Sequence, residues 1–482
     1  MASGFSSDIF REYDVRGEAG REIDAEVSRL IGLSLARWAE ERDRTGPRVA
    51  VVGRDNRLSS PELAEGVARG FLEAGWEVRD LGVVPTPVFY WARRRHGLNL
   101  GVMVTGSHNE AHYNGFKLAW GPGTLYGEDI KEIGRRVAEL AAAGPVPGGG
   151  SGPAPTGAVA LDGVIEDYTA DVVDRLGLGG KPLGLRVAVD SGSGTASLVA
   201  PSLFERLGCE VLPLYCRLDG TYPGHWPDPV KPENLAELRE VVARARADAG
   251  VAFDGDADRL GVVDDQGEIL WGDVIMILFW REILARHPGA EAIVEVKCSQ
   301  ALVDEIKRLG GRPLFYRTGH SLIKAKMREI GALFAGEMSG HMFFADEYYG
   351  FDDAIYAAAR LLRIIGRSGR RLSSLLADRP RYHSTPETRV ECPDRTKFGV
   401  VKTVRDQFAA LPAGDVEIVD VDGVRAVFPD GGWILVRASN TQPALVVRCE
   451  ARTEERLAEL KGLVTESLRC KAAEAGLALP GW

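Results

Sequence analysis

Three aspartates alternate with two small residues in Asp254-Gly255-Asp256-Ala257-Asp258-Arg259, and no other spacing in the chain says as much about chemistry. Magnesium takes oxygen ligands at about 2.1 Å. Alternate residues of a strand share a face but stand about 6.6 Å apart, and helical residues two apart do not face each other. A tight loop, which Gly255 and Ala257 permit, is the remaining way to fold three carboxylates around one cation. Arg259 and an anionic substrate would then set the charge balance. An EF-hand loop starts similarly but needs glycine at its sixth position and glutamate at its twelfth, where Arg259 and Asp265 stand. A solvated acidic turn is the plain alternative, although acids packed this closely repel without a cation.

Three further loops carry reactive or anion-binding side chains. Thr105-Gly106-Ser107-His108-Asn109 follows an apolar run, and glycine before serine lets the chain turn sharply and present the hydroxyl. His108 beside it, and Lys117 in Asn114-Gly115-Phe116-Lys117, are groups that move protons or hold phosphate oxygens. Gly336-Glu337-Met338-Ser339-Gly340-His341 offers a carboxylate that can accept hydrogen bonds from vicinal hydroxyls, as on a sugar. Arg437-Ala438-Ser439-Asn440-Thr441-Gln442-Pro443 gathers a guanidinium, two hydroxyls and an amide into an anion cradle. Viewed singly, each is also open to being an ordinary polar turn, the serine loop most of all. The glycine-rich Ser191-Gly192-Ser193-Gly194-Thr195 lacks the lysine of a P-loop and reads as a strand-to-helix turn.

These loops need a scaffold. The chain has 482 residues, too many for one core, and the usual domain size implies three or four domains. Hydrophobic residues at 45% and charged residues at 27% fit a globular protein. The net charge of -10 argues against a general nucleic-acid surface. Six cysteines without any C-x-x-C spacing read as reduced thiols in a cytoplasmic protein. The N-terminus has no apolar secretory segment, and no apolar run approaches the ~20 residues of a spanning helix.

Strands are expected over 49–52, 100–104, 185–189, 251–253, 292–296 and 314–316, with helices over 61–74, 194–207 and 299–309. Such alternation predicts α/β domains with largely parallel sheets. From about residue 372 the pattern changes to strands over 416–421, 424–428, 433–436 and 445–450 and a helix over 454–473, which reads as α+β with an antiparallel sheet. Residues 144–156, rich in glycine and proline, read as a flexible linker. The division is 1–150, 156–258, 259–370 and 371–482: three α/β domains with mixed, largely parallel sheets, then the α+β domain.

Taken in order, the loops resemble the α-D-phosphohexomutase family, nearest its phosphomannomutase/phosphoglucomutase branch. Phe10-Arg11-Glu12-Tyr13-Asp14-Val15-Arg16-Gly17, Lys297-Cys298-Ser299 and Gly319-His320-Ser321 extend the likeness, which runs from residue 10 to about 470. It implies four domains around a central cleft, each contributing one loop. Ser107 would be a phosphoserine, and Asp254, Asp256 and Asp258 would hold Mg2+ with a phosphoserine oxygen. Arg16 and Arg259 would neutralise the transferred phosphoryl group, and Lys117 and His341 would be acid/base groups. Tyr13 would stand with the substrate contacts, and Glu337 and Ser339 would read sugar hydroxyls. Arg437, Ser439, Asn440 and Thr441, with Lys297 and His320, would bind the phosphate not being transferred. The implied reaction interconverts hexose 1-phosphate and hexose 6-phosphate (mannose, glucose or both) through a bound hexose 1,6-bisphosphate. A fourth domain hinged before Leu372 would close over the sugar. The partner would be a small sugar phosphate, without nucleic acid, membrane or obligate protein partner. Glucosamine phosphate as substrate, a metal-dependent phosphatase and a silent sugar-phosphate binder are the competing readings. The sequence departs from the family habit at Glu110, Ala257 and Gln442.

Overall fold

A computed structural model describes residues 7–143, 157–412, 414–439, 442–475 and 477. The linker read at 144–156 lies outside them. The chain divides into two compact units, Met1–Gly272 with Ser339–Leu375, and Asp273–Met338 with Leu376–Trp482.

In the first unit, Val49–Arg54 lies between Glu77–Val83 and Leu100–Val104, all parallel. Leu100–Val104 pairs antiparallel with Tyr113–Trp120, which pairs antiparallel with Val15–Glu18. The central strands are apolar and buried on both faces, so helices must cover the sheet. Helix Ala25–Arg42 begins where the Asp24 carboxylate accepts from the Val27 N–H at 2.8 Å. It packs against Ser60–Glu73 through small residues: a methyl group at Gly70 would stand 2.0 Å from the Arg29 carbonyl. A second sheet runs Ile269–Leu270, Leu260–Asp264, Ala249–Phe253, Arg186–Asp190, Glu210–Leu214. Its last three strands are parallel, and Leu260–Asp264 folds back antiparallel on Ala249–Phe253. Helix Ala354–Ser368, capped by Asp353, belongs to the same unit.

In the second unit, Glu291–Glu295 pairs in parallel with Arg312–Tyr316 and with Phe334–Gly336. The C-terminal sheet is antiparallel throughout, through Glu417–Val419, Val424–Val427, Trp433–Ala438 and Ala444–Ala451. Helices Asp394–Ala409 and Glu454–Ala475 pack on it.

One expected element is interrupted, and several observed elements add to the expected ones. The helix expected over 194–207 is broken into a 3-10 turn, Thr195–Leu198, and a short helix, Ala200–Arg206. Pro201 has no N–H to continue the first piece and instead opens the second. Helices Ala25–Arg42, Glu128–Ala143, Ala354–Ser368 and Asp394–Ala409 are among the additions. Among the described residues, no helix is long and apolar enough to cross a membrane.

Candidate functional site

Parallel strands deliver the loops at their C-terminal ends to one edge of the sheet. In the first unit, Leu100–Val104 delivers Ser107, Val49–Arg54 delivers Asp55 and Arg57, and Glu77–Val83 leads to Thr86. In the second sheet, Ala249–Phe253 delivers Asp254, Asp256 and Asp258.

The three aspartates are buried, and carboxylate oxygens from each lie within 4.8 Å of one another. Ala257, at φ +62°, supplies the left-handed turn that closes the loop. Asp254 spends Oδ1 on the amides of Asp258 and Arg259, at 3.0 and 3.1 Å. Its Oδ2 accepts from Ser107 Oγ at 2.8 Å. Ser107 is itself at φ +49° and 3.1 Å from His108 Nδ1. Gly255 must be glycine because a Cβ there would stand 2.5 Å from the Ser107 carbonyl oxygen.

Lys117 reaches the acidic loop from strand Tyr113–Trp120, its ammonium 2.8 Å from Asp256 Oδ2 and in contact with Asp258. Burial opposes its charge, but Asp256 and Asp258 outweigh burial and hold its pKa well above the ordinary lysine value. Burial likewise works against the Asp258 carboxylate, yet Lys117 and His341 hold its pKa well down. Asp254 moves the other way, raised by burial and then by Asp258 and Asp256. His341 Nε2 lies 3.2 Å from Asp258 Oδ1 and 3.4 Å from Arg259 Nε, and Nδ1 is 3.2 Å from Ser339 Oγ. Arg16 bonds Asn109 Oδ1 and Asp14 Oδ2, both at 2.6 Å. Burial, then Arg259 and Arg16, push the His108 pKa far below the usual histidine value, so the ring is neutral at pH 7. Tyr13 is half-buried in the turn before strand Val15–Glu18.

This donor set fits a divalent cation. Asp256 Oδ1 is buried without a hydrogen-bond partner, so the loop holds an oxygen it does not use itself. The chemistry is hard and all-oxygen, as magnesium prefers.

Two residues absent from the sequence reading shape this half. Arg57, its side chain fully buried, pairs with Asp55 at 3.1 Å and donates to the carbonyls of Ser107, Asn109, Glu110 and Tyr113. Thr86 donates its hydroxyl to Asp256 Oδ2 at 2.6 Å. The available signals were an Asp-x-Arg and a Thr-Pro directly after strands. The loop 191–195 is a turn, as expected: Ser193 N and Thr195 N donate to the carbonyls of Tyr215 and Gly255.

In the second unit, Glu337 Oε1 accepts from the Gly319 amide at 2.8 Å, and His320 opens helix His320–Ile330. Lys297 Nζ is 3.0 Å from Glu387, whose pKa Lys297 pulls down to about 2. Burial, joined by Glu337, raises that of Glu295. Arg437 Nε bonds Asp422 at 3.0 Å, and Asp422 also accepts from the Thr318 amide at 3.1 Å. Ser439 Oγ accepts from the Gln442 amide at 3.2 Å. Lys397, which no motif singled out, donates to the carbonyls of Ser439 and Gln442 at 2.6 and 3.2 Å. Asn440 and Thr441 lie outside the described residues. Gln442 is occupied by Arg389 at 2.6 Å.

The structure thus brings Ser107, His108, Lys117, Arg16, Arg259, Ser339, His341 and the three aspartates into one unit. Lys297, His320, Glu337, Arg437 and Ser439 lie in the other.

Comparison with known proteins matches nearly the whole length of the chain. Models of the phosphoglucomutase/phosphomannomutase α/β/α domains I, II and III match residues 7–143, 166–267 and 271–382, and the C-terminal domain model matches 387–467. A phosphomannomutase/phosphoglucomutase of Pseudomonas aeruginosa is 43% identical, over 98% of this chain and 97% of that protein. A phosphoglucomutase of Neisseria meningitidis is 42% identical over 94% of this chain and 95% of its own length. The crystal structure of a phosphoglucomutase/phosphomannomutase family protein from Burkholderia thailandensis superposes with a TM-score of 0.86 at 39% identity, covering 99% of this chain and all of that one.

Proposed function

This chain belongs to the phosphoglucomutase/phosphomannomutase family, and from that premise we propose that it interconverts the 1- and 6-phosphates of glucose, mannose or both. The observation that carries the reading is the contact of Ser107 Oγ with Asp254 inside a buried carboxylate cluster that Lys117 partly neutralises. Phosphorylated Ser107 is the phosphoryl donor. The P–Oγ bond breaks as a bond forms to the free sugar hydroxyl, giving the hexose 1,6-bisphosphate, and the other phosphate then returns to Ser107. Asp254, Asp256, Asp258 and an oxygen of the phosphoserine would hold Mg2+, which supplies charge stabilisation to the transferred group. Arg16 and Arg259 offset the remaining charge. His341 and Lys117 carry the protons of the attacking and leaving oxygens, with neutral His108 beside the serine. Tyr13, Lys297, His320, Glu337, Ser339, Arg437, Ser439, Asn440 and Thr441 bind the sugar and its second phosphate. Five free thiols among the described side chains, Cys209, Cys216, Cys298, Cys392 and Cys449, support a reducing cytoplasmic setting.

A 31P NMR time course tests this, with Mg2+, glucose 1-phosphate or mannose 1-phosphate, a trace of glucose 1,6-bisphosphate and a Ser107→Ala control. The 6-phosphate is expected to appear and to be lost in the control. Inorganic phosphate as the only product would replace the mutase with a phosphatase. Turnover of glucosamine 1-phosphate alone would move the substrate to that sugar.

A further inference from the structure

Three successive carbonyls of the acidic loop are each gripped by the first residue of a different helix. Gly255 O accepts from Thr195 N at 3.0 Å, Asp256 O from Thr86 N at 2.8 Å, and Ala257 O from Ala354 N at 3.4 Å. These donors open the 3-10 turn Thr195–Leu198 and the helices Thr86–His96 and Ala354–Ser368. The first N–H groups of a helix have no partner within it, so carbonyls of an acidic loop satisfy them and meet the positive end of the helix. Three elements far apart in sequence therefore impose one shape on residues 255–257.

Thr86 goes further than the other two, because its side chain also acts on a carboxylate. Its buried hydroxyl donates to Asp256 Oδ2 at 2.6 Å. Lys117 Nζ takes the same oxygen at 2.8 Å, while Asp256 Oδ1 is buried with no partner. Backbone and side chain of one residue fix both the Asp256 peptide and the rotation of its carboxylate. One oxygen is committed and the other is left for a cation.

We infer that Thr86 is a positioning residue for metal binding: it acts through Asp256 and touches neither substrate nor the transferred group. The inference rests on the proposal that the three aspartates hold Mg2+. Thr86→Val preserves size and branching and removes only the hydroxyl, whereas Thr86→Ser restores it. The half-saturating Mg2+ concentration of mutase activity should rise about tenfold in Thr86→Val. The KM for sugar phosphate at saturating Mg2+ should stay within twofold of wild type. Thr86→Ser should lie near wild type on both measures. Mn2+ titration of the same proteins without sugar, followed by EPR, should show the same order of affinities. Should Thr86→Val not fold, Thr86→Ala carries the same expectation.

Equal losses in Mg2+ and sugar dependence would make Thr86 a merely structural residue and overturn the inference. Unchanged Mg2+ and Mn2+ affinity in Thr86→Val would overturn it too, as would failure of Thr86→Ser to restore them. Wild-type protein that turns over sugar phosphate and binds Mn2+ keeps the underlying proposal intact through either failure. Wild-type protein that does neither would sink both.

Discussion

Replacing Arg57 by methionine tests whether the serine turn is held from beneath. The arginine is the sole cation within bonding reach of the buried Asp55 carboxylate, at 3.1 Å among the described ion pairs, and its guanidinium satisfies four carbonyls between residues 107 and 113. Removing one partner of a buried ion pair costs about 3–5 kcal/mol. Methionine fills much of the volume but donates nothing, so the carbonyls lose charged donors as well. We take about 4 kcal/mol as the total, which at roughly 2–4 °C per kcal/mol lowers Tm by about 10 °C. Ser107 is held at φ +49°, a conformation that costs a non-glycine residue about 1 kcal/mol or more. If about 3 kcal/mol of the loss falls on this turn alone, the ratio of competent to incompetent turn drops more than a hundredfold, and kcat falls by up to that factor. Scanning calorimetry gives the first number, and steady-state turnover with phosphoserine content by 31P NMR gives the second. Tm within about 2 °C and kcat within about threefold of wild type would refute the reasoning.

Ala257→Gly should stabilise the protein slightly: relief of the left-handed alanine gains about 1–2 kcal/mol, and added freedom of the unfolded chain takes back about 0.4–1. Urea melts read the difference, and net destabilisation would count against the strain at φ +62°. Asp353 is buried beneath the hydroxyls of Tyr168 and Tyr348, and burial raises its pKa to about 7. Its folded pKa exceeds the unfolded one, so the folded state binds the extra proton between about pH 4 and pH 7. Stability should therefore fall as pH rises through that window, by at most about 4 kcal/mol. Denaturant midpoints at pH 4.5 to 7.5 should show that contribution as the difference in slope between wild type and Asp353→Asn, and equal slopes would exclude it. Lys397→Met removes the ammonium that holds the carbonyls of Ser439 and Gln442. We expect KM for sugar phosphate to rise about tenfold, the worth of one charged hydrogen bond, while kcat changes little, and an unchanged KM would exclude the role.

What the sequence made legible was formal charge and its spacing. Asp254, Asp256 and Asp258 were readable because alternate carboxylates suit neither strand nor helix. The loop does close around them in space. Ser107 was readable as a hydroxyl after glycine, Lys117 as a proton-moving or phosphate-holding group near it in sequence, and Arg16 only through resemblance. The supporting residues were hidden for a physical reason. Thr86 meets Asp256 across 170 positions, and Arg57 meets the Ser107 carbonyl across 50. Arg57 acts on backbone carbonyls, which every residue type possesses, and Thr86 on a carboxylate far away in sequence, so no spacing of side chains announces either. The broken helix at 194–207 was a different failure, because Pro201 was in plain view and its missing N–H predicts the break.

Arginine shows the same limit within the second unit. Arg437 was picked out by its motif, whereas Arg425 and Arg448 were passed over in strands Val424–Val427 and Ala444–Ala451. Arg425 is buried between Trp433 and Phe315 and donates to the carbonyls of Val296 and Cys298, at 2.8 and 2.7 Å. Burial lowers its pKa to about 10, which leaves it charged at pH 7. Arg448 donates to the carbonyl of Lys297. The three consecutive carbonyls that set the backbone beneath Lys297 are thus held by cations from the C-terminal sheet. Hydrogen bonds to charged donors contribute about 1.5–3 kcal/mol each, more than neutral ones, so the placement of the Lys297 ammonium depends on those arginines as well as on the strand Glu291–Glu295 that precedes it. What separates a ligand-binding arginine from a scaffolding one is the acceptor. Arg437 is paired to a carboxylate, Asp422, which a phosphate can replace in kind. Arg425 is tied to peptide oxygens and the Gln300 amide. Arg448 holds the Lys297 carbonyl while standing 3.7 and 3.8 Å from Asp273 and Glu450. No anion can displace the peptide oxygens without unmaking the loop.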